Sequence, residues 1–427
     1  MMISKNAQNN KNKEAFVWIW LPEATQPVVA GKLQMYAGKM QFNYGKSYLE
    51  RIQDKKPVIS IYEPELPLKA GLLPLLPGLN MPSCIRDAAP DAWGRRVIIN
   101  KILGLKSTYS DTADIDELTY LLESGSDRIG ALDFQLSPTE YISRTAEHAT
   151  LDELLNSAER IEKGILLSPE LDQALLHGSS IGGARPKALI ESENSKYIAK
   201  FSSSSDLHNV IKAEFIAMKL ASRLGLNVAA VKLTKASNKT VLLIERFDRE
   251  FTQNGWTRKC MLSALTLFGL DEMMARYASY ENLADIIRHR FTQPKETLKE
   301  LFSRLVFNIL CGNTDDHARN HAAFWNGKAL TLTPAYDICP QSRSGNEASQ
   351  AMLISKNNNL SQIKTCLSVA HKFLLSKEQA NEIFENQKSI IEKNWNEICD
   401  EAQLSDVDKK FLWGRQFLNP YSIDLSI

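Results

Sequence analysis

The sequence predicts an α+β chain with a small mixed N-terminal subdomain, a strand-rich middle and an all-helical C-terminal domain. Three observations carry that expectation. Strand-like and helix-like periods alternate through residues 16–140. Residues 187–248 read strand, strand, helix, strand. From about residue 258 onward helical periods dominate.

Taken in order, FVWIWL (16–21) has the aromatic and β-branched content of a strand. KMQFNY (39–44) alternates Met40, Phe42 and Tyr44 with Lys39, Gln41 and Asn43, as a half-buried strand does. Pro64, Pro67, Pro74, Pro77 and Pro82 argue against a regular element between them. In DAAPDAWGRRVIINKIL (87–103), Asp87 is a candidate cap, Pro90 fits a first turn, and Val97, Ile98 and Ile102 form an apolar stripe. LDELLNSAERIEKG (151–164) reads as a helix closed by Gly164.

KALIES (187–192), KYIAKF (196–201) and TVLLIERFD (240–248) read as strands. LHNVIKAEFIAMKLASRLGL (207–226) reads as a helix, with Val210, Ala213, Ala217, Leu220 and Leu224 on one face. PKETLKELFSRLVFNILCG (294–312) sets Leu298, Leu301, Phe302, Leu305, Val306, Ile309 and Leu310 on one stripe between Pro294 and Gly312. Asn326-Gly327 joins two short apolar runs as a tight hairpin, and residues 376–418 again read as helices.

Composition narrows the function classes. Of 427 residues, 44% are hydrophobic and 24% charged, the balance of an ordinary globular protein. Lys+Arg is 51 against Asp+Glu 50, so net charge makes no case for nucleic acid or an anionic membrane. The six cysteines form no CxxC and no zinc-finger spacing, which points to reduced thiols. The opening MMISKNAQNNKNKEA lacks the apolar core of a signal peptide, and no apolar run reaches ~18 residues. The expectation is a cytoplasmic protein with no membrane partner.

CGNTDDHARNHAAFWNGKALTLTPAYDICP (311–340) carries the chemistry. Its order is helix, Asp-x-x-x-x-Asn loop, hairpin, Asp. Phosphoryl transfer from ATP needs a carboxylate near the acceptor hydroxyl and oxygen ligands for Mg²⁺. Asp315 and Asn320 have the spacing at which protein kinases supply the base and a metal ligand, and Asp337 stands behind the hairpin as the second ligand. Asp316 is one residue out of register.

GSSIGGARPKALI (178–190) is a Gly/Ser-rich turn entering a strand, where Gly178, Gly182 and Gly183 leave the backbone open to phosphates. It is neither GxGxxG nor GxxxxGK[ST], which disfavours a P-loop NTPase. Lys187 closes the loop, Lys200 lies on the next strand, and Glu214 on the following helix is a partner for Lys200. The strand ending at Glu245 leads into a segment suited to an inter-lobe hinge. Loop, lysine, glutamate, hinge and DxxxxN…D occur in the order of a protein-kinase-like two-lobed fold.

DAAPDAWGRRVI (87–98), SSIGGARPKALI (179–190), IERFDR (244–249), GNTDDHARNHAAF (312–324) and LTPAYDICP (332–340) together resemble the HipA family of serine/threonine kinase toxins from bacterial toxin–antitoxin modules. The polar, Asn/Lys-rich residues 1–15 read as a disordered start, and the resemblance implies a family-type N-terminal subdomain at 16–140, an ATP-binding lobe at 141–255 and a helical kinase domain at 256–427. It makes Asp315 the catalytic aspartate, Asn320 and Asp337 the Mg²⁺ ligands, and Lys200 and Lys187 the phosphate-side lysines. Glu245 and Phe247 match the segment that contacts the adenine. Ser180, with Ser179 as a second acceptor, matches the loop serine that such kinases autophosphorylate. Two added negative charges there repel ATP.

Outside the chain, the resemblance implies a helix-turn-helix antitoxin (HipB-like), through which the complex reaches operator DNA, and a protein substrate such as an aminoacyl-tRNA synthetase. The chain departs from the family at Arg185-Pro186, where proline removes one loop N–H, and at Asp316, where glycine is common. Two other readings fit the residues: a small-molecule phosphotransferase, and a catalytically silent co-repressor.

Overall fold

The alternation at residues 39–44 produces a strand in the computed structural model, β3 (Lys39–Tyr44), with Met40, Phe42 and Tyr44 buried. It joins β1 (Glu14–Ile19), β2 (Val28–Tyr36) and β4 (Leu132–Gln135) in an antiparallel sheet of order β3-β2-β1-β4. The structure describes residues 13–103, 115–145, 149–165, 183, 185–203, 206, 209–343 and 345–425. It divides into two units, Met1–Ala184 and Arg185–Ile427.

In the first unit, residues 67–82 form no helix or strand, as their prolines require. The helix expected from Asp87 opens later, as α1 (Ala92–Leu103). Asp87 instead closes a short turn of helix over Ser83–Arg86, and Asp91 stands at the start of α1, where its carbonyl accepts from Arg95 N at 2.8 Å. A helix at Leu151–Glu162 (α2) follows, opened by a capping box between Thr150 and Glu153.

The second unit begins with a sheet of order β5-β6-β8-β7: β5 (Lys187–Ser192), β6 (Ser195–Lys200), β7 (Val231–Ala236) and β8 (Lys239–Glu245). Helix α3 (Val210–Arg223) lies between β6 and β7 in the chain. Strand β7 is an addition to the expected order. It shows too little apolar alternation to be read, since Lys232 and Lys235 interrupt it and only Ala236 is buried.

Past Glu245 comes a hairpin of β9 (Arg249–Thr252) and β10 (Gly255–Arg258), then β11 (Cys260–Ser263). The predominantly helical remainder includes α4 (Tyr280–Arg290), α5 (Pro294–Leu310) and α6 (Lys377–Glu401). It also holds a three-stranded sheet, because the hairpin of β12 (Ala322–Trp325) and β13 (Leu330–Leu332) pairs with β11. Among the described residues no helix is long and apolar enough to cross a membrane.

Helix α5 is buried along its predicted stripe, and its end is set by Gly312. Asn313 N donates to Asn308 O and Gly312 N to Ile309 O, a left-handed closure that needs φ of +74° at Gly312. A Cβ there would stand 2.7 Å from the Gln416 carbonyl oxygen. Gly312→Ala should therefore destabilise the protein by at least ~1–2 kcal/mol from the backbone conformation alone, with the clash adding to it. The check is a lowered urea midpoint at unchanged slope.

Candidate active site

Lys187 and Lys200 stand directly opposite each other in the β5–β6 pair. Opposed residues in an antiparallel pair share a face, so both ammonium groups leave the sheet on one side. Both lysines are buried, at 4% and 6% exposure. A buried ammonium needs carboxylate partners. Lys200 Nζ donates to Glu214 Oε1 on α3 at 2.6 Å and to Asp337 Oδ1.

The two carboxylates respond differently to that one cation. Glu214 is 1% exposed, and burial raises its pKa despite Lys200. Burial would raise Asp337 too, but Lys200 and then Lys187 outweigh it and hold this carboxyl well below the usual range. Asp337 keeps 41% of its side-chain surface open, so it carries its negative charge where a ligand can reach it. Burial disfavours the Lys200 charge, yet Asp337 and Glu214 hold its pKa well above an ordinary lysine.

Asp337 adopts φ of +60°, in the left-handed region. That conformation costs an L-residue roughly 1–2 kcal/mol, and such strain gathers at functional sites. It is held by its neighbours: Ala335 N donates to Asn227 O at 2.8 Å and Ala229 N to Ala335 O at 2.9 Å, while Tyr336 Oη donates to Arg319 O at 2.6 Å. This last bond ties the Asp337 segment to the loop that carries Asp315 and Asn320.

Within that loop, Asn320 Nδ2 donates to the Asp315 carbonyl at 3.2 Å, which leaves Asn320 Oδ1 as the free end of the amide. Asp315 is exposed, and partial burial raises its pKa, with Asp337 and Asp316 adding to the rise against His317. A raised pKa suits a group that must take up a proton. His317, two residues on, has a buried Nδ1 without a hydrogen-bond partner. Thus Lys187, Lys200, Glu214 and Asp337 form one cluster, Asp315 lies close enough to feel the Asp337 charge, and Asn320 is bonded to the Asp315 carbonyl.

Glu245 ends β8 opposite Tyr197 and accepts from Ser195 Oγ at 3.3 Å. Phe247 packs against Phe324 and Tyr336, with ring centroids 6.0 and 5.6 Å away. Sequence reasoning missed what holds this segment. Arg246 and Arg249 both grip the buried Asp248, at 2.9 Å each. Of the Gly-rich turn, Ser179, Ser180 and Gly182 lie outside the described residues. Gly183 N donates to Asp91 Oδ2 at 2.6 Å and Gly183 O accepts from Trp93 N, so its amide is engaged within the first unit.

The donor set fits Mg²⁺. Asp337 and Asn320 Oδ1 would offer Mg²⁺ hard oxygen donors, a carboxylate and an amide carbonyl with a free end. Mg²⁺ takes one or two protein ligands of this kind and completes its octahedron with phosphate oxygens and water.

Two family models match the chain: the HipA N-terminal domain over residues 19–135 and the HipA-like C-terminal domain over residues 179–395. The second alone covers just over half of the 427 residues. The chain belongs to the HipA family. This HipA-family chain is 28% identical over 161 residues to the serine/threonine-protein kinase toxin HipA of Shewanella oneidensis, an alignment spanning 34% of this chain and 36% of that protein. It is 26% identical over 195 residues to a candidate kinase of Haemophilus influenzae, covering 41% of this chain and 55% of the relative. The chain therefore spans between a third and about half of these curated relatives. The Shewanella oneidensis HipA solved with HipB and operator DNA superposes with a TM-score of 0.69 at 18% identity over 93% of each chain. At that identity the match shows the fold, and the α+β kinase-like architecture is that of HipA.

Proposed function

We propose that this HipA-family chain is a Mg-ATP-dependent protein serine/threonine kinase that serves as the toxin of a toxin–antitoxin module. The observation that carries the reading is the Lys200 ammonium held between Glu214 and Asp337. A strand lysine paired to a helix glutamate, beside an open aspartate, is the phosphate-side arrangement of a kinase.

In this reading Asp315 accepts the proton of the serine or threonine hydroxyl as its oxygen bonds to the γ-phosphorus. The bond from that phosphorus to the β–γ bridging oxygen breaks, and ADP departs. Lys200 and Lys187 hold the phosphates, Glu245 and Phe247 border the adenine, and Asn320 and Asp337 supply the metal ligands. When bound, Mg²⁺ neutralises the charge that gathers on the phosphate oxygens. Following the family resemblance, Gly182, Gly183 and Ser180 are assigned to nucleotide binding, with Ser180, then Ser179, as autophosphorylation acceptors. The partner is a HipB-like helix-turn-helix antitoxin, with DNA reached only through it. The substrate is a protein, with an aminoacyl-tRNA synthetase as first candidate.

Incubation with γ-labelled ATP and Mg²⁺ tests the reading. Label should appear on the wild-type protein at Ser180 or Ser179, and Asp315→Asn should lower its rate by ~10²–10⁴-fold, the range for losing a general base. Unchanged labelling in Asp315→Asn would falsify the assignment, and label found only on added small molecules would turn the reading to a small-molecule phosphotransferase.

A further inference from the structure

Asp316 follows the candidate base but turns into the protein, where it is 2% exposed. Tyr280 Oη, from the first residue of α4, donates to Asp316 Oδ2. His321 Nε2 lies 2.9 Å from Asp316 Oδ1 and 3.2 Å from the Tyr280 oxygen. Tyr280 and His321 are 0% and 3% exposed, so all three polar ends are withdrawn from solvent. A buried carboxylate is costly unless its oxygens are satisfied, and a closed network of this kind also makes the local structure stiff.

Its place in the sequence gives the triangle a use. Asp316 is the neighbour of Asp315, and His321 is the neighbour of Asn320. The two loop residues assigned to the chemistry are each one peptide from a corner of the triangle. The third corner is rooted elsewhere: Tyr280 N donates to Leu353 O at 2.9 Å, and its hydroxyl also meets Asn308 of α5. Thr314, at the loop entrance, accepts from Ala351 N at 2.9 Å. The loop is thus pinned at both ends to a frame built from α4, α5 and the 351–353 segment.

We propose that the Tyr280–Asp316–His321 triangle is the mount that fixes Asp315 and Asn320 relative to Asp337, which makes Tyr280 a positioning residue for phosphoryl transfer. The inference rests on the kinase reading above. Removing the Tyr280 hydroxyl strips a donor from buried Asp316 Oδ2. The loop then relaxes, and Asn320 Oδ1 loses its setting in the metal ligand pair. A displacement of about 1 Å can cost about 100-fold in rate. Lys187, Lys200, Glu245 and Phe247 lie outside the triangle, so nucleotide contacts are kept.

The test compares wild type, Tyr280→Phe, Asp316→Asn and the double variant in full-length protein. Turnover, the ATP KM and the Mg²⁺ midpoint are measured, with amide hydrogen exchange over residues 314–320. Tyr280→Phe is expected to lower kcat about 10-fold and raise the Mg²⁺ midpoint several-fold, with the ATP KM within about 2-fold. Exchange across 314–320 should quicken, and the double variant should be no worse than the poorer single one. A folded Tyr280→Phe protein with unchanged Mg²⁺ midpoint and unchanged exchange overturns the proposal, as does strict additivity of the two changes. Should Asp316→Asn fail to fold, the near-isosteric Tyr280→Phe decides alone. A wild type without any phosphoryl transfer sinks the kinase reading instead, and the exchange measurement still judges the mount.

Discussion

Asp337→Asn is expected to lower Mg²⁺-dependent phosphoryl transfer by more than about 100-fold in a protein that remains folded. Changing a residue that merely holds a metal's ligand already costs ~10–100-fold, and this change removes the charge of the proposed ligand itself. Folding should survive for a stated reason. Asparagine tolerates the left-handed backbone that Asp337 adopts at φ +60°, and its amide oxygen can still accept from Lys200. Lys200 also retains its 2.6 Å bond to Glu214.

The thermodynamic signature separates this variant from general damage. In the wild type, ADP should bind more tightly with Mg²⁺ than without it, because Asp337 and Asn320 reward the metal. In Asp337→Asn that difference should largely vanish, while metal-free ADP should bind as well as or better than in wild type, since a negative charge facing the phosphates is gone. Titration calorimetry with and without Mg²⁺ reads both quantities. A variant that kept the full Mg²⁺ effect would remove Asp337 from the ligand set, and with it the proposed phosphate geometry.

The legible parts of this chain were those written locally. Met40, Phe42 and Tyr44 announce β3 because alternate residues of a strand face one side. Asn326-Gly327 announces the β12–β13 connection because few residues accept that turn. Spacing put Asp315 and Asn320 in one loop, where Asn320 Nδ2 bonds the Asp315 carbonyl, and it put Asp337 behind the hairpin; the chemical roles given to the three are proposals. What stayed hidden was partnership at long range. Nothing near Asp316 in the sequence points to Tyr280, and nothing near Gly183 points to Asp91. Strand β7 escaped notice because an edge strand with two lysines has little apolar period, and Asp87 was a plausible cap only until Asp91 proved to stand where α1 begins. Nothing in the local pattern of Arg246, Asp248 and Arg249 shows that one carboxylate is gripped by both guanidinium groups inside the fold, at 2%, 4% and 6% exposure for Asp248, Arg246 and Arg249.

Lys200→Met should abolish transfer and also destabilise the protein, by an amount set mainly by Glu214. Breaking a buried pair by removing one partner costs ~3–5 kcal/mol, because the other charge is left uncompensated. Glu214 is the partner to which that applies, at 1% exposure, whereas Asp337, with an open side chain, is screened by solvent and should add little. The double variant Lys200→Met/Glu214→Gln should therefore recover most of the stability and none of the activity. The pH dependence has a definite sign. Asp337 is held below its ordinary value, so the stability it draws from Lys200 is present above about pH 4 and is lost as pH falls towards its depressed pKa. Lys200 is raised, so its share is present below about pH 10.4 and is lost as pH climbs through the raised value. Glu214 is raised by burial, and without Lys200 it should rise further, so the single variant should regain stability as acid protonates it. The gap between wild type and Lys200→Met should accordingly be widest at neutral to mildly alkaline pH and close towards pH 4. A gap that stayed constant from pH 8 to pH 4 would mean that the lysine stabilises through its packed stem rather than its charge, and the phosphate-holding role assigned to that charge would lose its structural support.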